Sequence, residues 1–185
     1  MSNKIPRLEM DQLAPEVRQV LDARVKRLGY LGEFFKCSGH NPAVLVSFME
    51  MTEAMKHALP ERLTEVGSLT VAGLMGNDYE RHQHERLSDK LGFGRDWIAA
   101  VNRLTPDAPS TMSKDERAVQ RLAIAVVRRQ GHDVQPELDA VIDRIGPAQA
   151  MAALFLIGRY VMHAYVVNAL NLEPPVSSIF AGDRK

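Results

Sequence analysis

Apolar residues recur at helical spacing from near one end of the chain to the other. No segment shows the strict alternation and β-branched enrichment of a strand. Between residues 42 and 59, Val44, Leu45, Phe48 and Met51 share one face, with Asn41 as the cap and Pro42 in the first turn. The same pattern predicts helices from Pro15 to near Gly29, from Pro60 or Glu61 to Met75, and from Asn77 or Asp78 to about Leu91. Further helices are expected around Trp97 to Leu104, from Ser113 to about Arg129, from Pro136 to Ile145, and from Pro147 to near Leu170. Gly76, Gly92, Gly94 and Gly146 punctuate them. Ser113 with Glu116 forms a capping-box pattern. The stretch GYLGEFFKCSGH, with three glycines, reads as irregular, and TPDAPST as a linker. Pro174 and Pro175 forbid helix at the start of the tail. The expectation is an all-α chain of about seven or eight helices. It forms one domain over 1–185, with a core hairpin at about 40–105, a C-terminal half at about 113–170 and a tail at 171–185.

The last helix alters that picture. Ala150, Met151, Leu154, Phe155, Ile157, Val161, Met162 and Val166 leave it no wide polar face. A chain of 185 residues has limited interior in which to bury such a helix, so a homo-oligomer is expected. Gln149, Arg159, His163 and Asn168 within the same stretch argue against a membrane span. The N-terminus, MSNKIPRLEMDQ, lacks the apolar core of a signal peptide. Lys plus Arg and Asp plus Glu both total 23, so no global field attracts nucleic acid or anionic lipid, and little self-repulsion opposes association. The single cysteine, Cys37, excludes an internal disulfide, a Cys-x-x-Cys pair and a thiolate zinc site, and points to a reducing, cytoplasmic setting.

Candidate chemistry concentrates in NDYERHQH, residues 77 to 84. Glu80 and His84 are four apart and meet on one helical face, near the partial positive charge of the helix N-terminus. That field favours a carboxylate on Glu80 and a neutral imidazole on His84, a workable acid–base pair. The blander reading is structural: Asn77 and Glu80 also match a capping box, and Glu80 with His84 an ordinary helix pair. His82 and His84 are two apart and diverge, so no metal site is expected. Cys37 with His40 reads better as inert packing than as a nucleophile pair, and Arg159 with His163 as buried polar groups. Arg81 or Arg159 is a candidate bidentate anchor for a substrate carboxylate.

The order Glu65, Tyr79-Glu80, His84 resembles the carboxymuconolactone decarboxylase family, whose hairpin carries a Glu and then Tyr-Glu-Trp-x-x-His. His84 requires one extra residue against that pattern, and His82 is the alternative. Against the alkylhydroperoxidase D branch of the superfamily, Asn77 and Glu80 take the two cysteine positions and His84 takes the histidine with no gap. Arg81 stands where the family has Trp. The resemblance implies an alkylhydroperoxidase D-like helical fold, no cofactor, and a lyase acting on a small carboxylated lactone or aromatic-degradation intermediate. In that scheme His84 is the acid–base, Glu80 and Glu65 are its partners, and Tyr79 is the oxyanion donor. Asn77, Arg81 and His82 face the substrate. A thiol peroxidase and a non-catalytic oligomeric binding protein are the alternatives.

Overall fold

The computed structural model describes residues 4–182; the first three residues of the N-terminal stretch and the last three of the tail lie outside them. Eight α-helices and one 3-10 turn, Met10–Gln12, account for the regular structure among the described residues. The helices are α1 (Pro15–Leu28), α2 (Glu33–Ser38), α3 (Pro42–Ala58), α4 (Glu61–Leu74), α5 (Asp78–Lys90), α6 (Arg95–Asn102), α7 (Lys114–Arg129) and α8 (Gln135–Ala169).

Local signals set most of their ends. Asn41 Oδ1 accepts the Val44 N–H at the start of α3, where Pro42 needs no donor. At α7 the capping box is closed in both directions between Ser113 and Glu116. Gly146 interrupts α8 with φ 79° and ψ 165°, a backbone state that a side chain disfavours, and Pro147 restarts the helix beyond it. The expected boundary between two helical pieces therefore survives as a kink.

One element departs from the sequence reading. Residues 33 to 38, expected to be irregular, form α2. Gly32 offers no side-chain cap, but the Tyr79 hydroxyl accepts the Phe34 N–H from 45 residues away. That donor is satisfied only in the tertiary structure, so no local pattern signals it.

The layers organise around α4. Every residue from Leu63 to Ala72 is buried, and this helix packs on α5, α6, α7 and α8. Gly67 lets α8 come close: a Cβ there would lie 2.7 Å from a methyl of Leu156. One apolar cluster joins α4, α6, α7 and α8 through Leu69, Trp97, Leu122 and Ile157; a second joins α1, α2 and α3 through Leu21, Phe34, Leu45 and Phe48. Tyr79 belongs to the second cluster and Tyr160 to the first, so the start of α5 and the middle of α8 meet at their seam.

The long helix is core on one side only. It is apolar and long enough to match a membrane span by composition, yet over half of its most apolar window is buried inside the protein. Met151, Phe155, Met162 and Tyr165 remain exposed, spaced so as to form one outward stripe.

Candidate active site

Three helices deliver the polar groups at that seam. Glu65 projects from α4, Glu80 and His84 from α5, and Arg159, Tyr160 and His163 from α8. His84 is clamped: Nδ1 donates to Glu65 Oε2 at 2.8 Å, and Nε2 lies 3.0 Å from Glu80 Oε2 and 2.9 Å from the Tyr160 hydroxyl. Ser88 Oγ donates to the same oxygen of Glu65 at 3.1 Å and fixes that carboxylate behind the ring. Glu80 Oε1 lies 3.2 Å from His163 Nε2.

The electrostatics reverse one expectation. Burial works against a charged His84, but the adjacent Glu65, then Tyr160 and the hydrogen bonds to Glu65 and Glu80, raise its pKa well above the usual histidine value. His84 is therefore an imidazolium at neutral pH, not the neutral ring that the helix N-terminus alone would favour. Two carboxylates in direct contact outweigh half a charge spread over a helix end. Burial also opposes ionisation of Glu80; His163, the His84 hydrogen bond and Arg159 overcome it and hold that carboxyl far below the usual range. Burial pushes His163 down to about 4, assisted by Arg159 and His84 against the pull of Glu80, so this ring is neutral at neutral pH.

The capping-box reading of Asn77 and Glu80 is half realised. Asn77 Oδ1 accepts the Glu80 N–H at 3.2 Å, but the Asn77 N–H goes to Ala72. The Glu80 side chain is thereby released to His84 and His163. Tyr79 is buried among the aromatics around α2, its hydroxyl holding the Phe34 amide, and burial raises its pKa.

All three residues expected at the substrate lie outside the cavity wall, Asn77 because it caps α5. The Arg81 guanidinium is taken by Asp78 and Glu85, and His82 Nδ1 lies 3.1 Å from the Val176 carbonyl; neither lines the cavity. Arg81 stays paired within α5, while His82 meets the C-terminal tail, which α5 holds across its outer face. There Glu85, fully buried, accepts from Asn102 Nδ2, Ser178 Oγ and the Ile179 amide, and Arg86 Nε donates to the Ser177 carbonyl. Cys37 is buried in the α2 cluster, its thiol pushed up by burial, and it too is absent from the cavity wall. His40 Nε2 lies 2.9 Å from the Pro6 carbonyl, and His40 meets Cys37 through the backbone.

A cavity of about 280 Å³ opens beside this cluster, with Glu80, His84, Tyr160, His163 and Arg159 in its wall. Arg159 is the functional candidate that geometry brings forward. Its guanidinium is sandwiched between the Phe48 and Tyr160 rings, with the carbon 4.5 and 4.3 Å from their centroids, and Nε donates to Thr52 Oγ1. Nη1 is buried without a partner, as is Nδ1 of neutral His163. Buried unmet polar atoms at a cavity are the expected mark of a ligand site. The only sequence signal for Tyr160 and His163 was their place on an apolar helix, where buried polar groups need partners.

No family model matches this sequence, and no curated protein sequence does. Solved structures do. The debrominase Bmp8 superposes with a TM-score of 0.82 at 16% identity, covering 95% of this chain and 94% of that one. A cysteine-to-alanine variant of it, bound to 2,3,4-tribromopyrrole, gives 0.81 at 16%, with 94% and 92% covered. The alkylhydroperoxidase AhpD core of a peroxidase-related protein from Ralstonia eutropha JMP134 gives 0.79 at 14%, with 91% and 90% covered. At such identities the likeness establishes architecture: the chain has the all-helical alkylhydroperoxidase D-like fold.

Proposed function

We propose that this protein is a cofactor-independent acid–base lyase acting on a small carboxylated molecule, in the manner of a carboxymuconolactone decarboxylase. The observation that carries this reading is the clamp on His84, an imidazolium between Glu65 and Glu80 that meets Tyr160 at the cavity wall. In decarboxylation of an unsaturated lactone acid, the bond to the carboxylate breaks and carbon dioxide leaves. The electron pair moves through the conjugated system to the carbonyl oxygen as an enolate. A proton then adds to carbon and the pair returns. His84 holds the proton this needs, Tyr160 is placed to donate to the enolate or pass the proton on, and Glu65 keeps the imidazole oriented. Arg159, with its free nitrogen, takes over the anchoring of a substrate oxygen that Arg81 is too engaged to perform.

A fold neighbour bound to 2,3,4-tribromopyrrole supports a cavity suited to a small planar ring. The same reading includes self-association through the exposed stripe on α8 and a cytoplasmic setting. A thiol peroxidase is disfavoured by Cys37, buried and away from the cavity. A non-catalytic binding protein is disfavoured by Glu80 and His84 at the cavity wall, with Glu65 held in hydrogen bond behind the His84 ring.

The test is release of carbon dioxide from a panel of unsaturated lactone and keto carboxylic acids. For any substrate turned over, His84→Gln and Glu65→Gln are expected to lower kcat by about 10²- to 10⁴-fold with helical content unchanged, while Cys37→Ser leaves it unaltered. Turnover that survives both substitutions in α4 and α5 overturns the assignment.

A further inference from the structure

The whole chain is neutral, yet the cavity is not. Arg24 and Arg27 from α1, Lys56 from α3, and Arg86 and Lys90 from α5 gather at its mouth, and Arg159 lies inside. Among the described residues, Glu80 is the only carboxylate lining the cavity. Glu53, just outside, is shared by Arg24 at 3.1 Å and Lys56 at 2.8 Å. Cations near helix C-termini are ordinary, because each terminus carries about half a negative charge. That explanation falls short here. Three helix ends supply at most about one and a half negative charges and Glu53 one more. Those five cations at the mouth then leave an excess of roughly two and a half positive charges. Burial lowers the Lys56 pKa, and Arg24 and Arg27 add to that against the hydrogen bond and charge of Glu53. A single carboxylate would leave part of that excess unmet.

We propose that the cavity mouth is a binding site for a phosphate-type oxyanion, so that the molecule taken up carries a phosphate or diphosphate ester at one end and an oxygen acceptor for Arg159 at the other. The two anchors have different characters. The mouth side chains Arg27, Lys56, Arg86 and Lys90 are exposed, suited to a multiply charged group that stays hydrated, whereas the Arg159 nitrogen is desolvated and demands one well-placed acceptor. The reacting carbon would then lie between them, beside His84 and Tyr160. This inference shares its cavity and Arg159 with the acid–base reading, but the phosphate end rests on the separate cations of the mouth.

Isothermal titration of the full chain with sodium pyrophosphate, inorganic phosphate and acetate tests it. Pyrophosphate is expected to bind at least about tenfold tighter than acetate, and the double variant Arg27→Glu/Lys90→Glu, checked for native unfolding behaviour, is expected to lose about tenfold or more of that affinity. Added salt should weaken the wild-type interaction steeply. Pyrophosphate no tighter than acetate, or indifferent to the double reversal, overturns the proposal. Failure here together with His84-dependent carbon dioxide release would remove the phosphate site and leave the acid–base reading standing. Binding as stated, with turnover indifferent to His84→Gln, would do the reverse.

Discussion

Replacing His163 by Gln should change how stability depends on pH. The wild-type ring is 2% exposed and packed against Phe34 at 4.2 Å between centroids, with Phe48 and Tyr79 on its other sides. Burial holds its pKa at about 4, against an unperturbed value near 6.5. The native state therefore resists a proton that the unfolded chain accepts, and stability falls as pH drops from about 6.5 through about 4. The full difference corresponds to about 3 kcal/mol, of which about 2 kcal/mol should be lost between pH 7.5 and 5. Over that interval Glu80 stays ionised in both states, and His84 adds a trend shared by wild type and variant. A glutamine side chain does not titrate, so the His163→Gln variant should lack this contribution even if lost stacking lowers its overall stability. Urea unfolding followed by the fluorescence of Trp97, the single and buried tryptophan, gives the free energy at each pH. The wild-type advantage over the variant should shrink by about 2 kcal/mol from pH 7.5 to 5. Parallel curves, or an advantage that grows on acidification, would refute the account of His163 as a buried neutral ring.

Two further outcomes follow from the packing. Glu85→Ala removes the acceptor shared by Asn102, Arg81, Ser178 and the Ile179 amide, so unfolding free energy should fall by about 2–4 kcal/mol and limited proteolysis should cut the tail sooner; an uncut tail would contradict the clasp. Phe155→Glu places a charge in the exposed α8 stripe, where Phe155 is 61% accessible, and sedimentation should show a smaller species than the wild type with unchanged helical content; identical sedimentation would count against association through that face.

Caps, breakers and helical periodicity were legible because they act within a few residues. Asn41, Pro42, Gly146, Ser113 and Glu116 do locally what their positions announce. The meeting of Glu80 with His84 was legible for the same reason, being one turn of one helix. The charge on His84 was misjudged because the local field of the helix end was the only one a single segment reveals. Its stronger determinants arrive from α4 and α8, 19 and 76 residues away.

Every helix but α2, the breaks between them and a carboxylate–histidine pair on one face were readable along the chain, being consequences of short-range sterics and hydrogen bonding. The groups that surround that pair were chosen by the packing of helices distant along the chain. Packing α8 across the hairpin brought in Tyr160, His163 and Arg159, while holding the tail occupied His82 and Glu85, and Asp78 with Glu85 took Arg81. Burial then set the charges, because the cost of desolvating an ionised group depends on everything packed around it and on nothing that spacing along the chain can express.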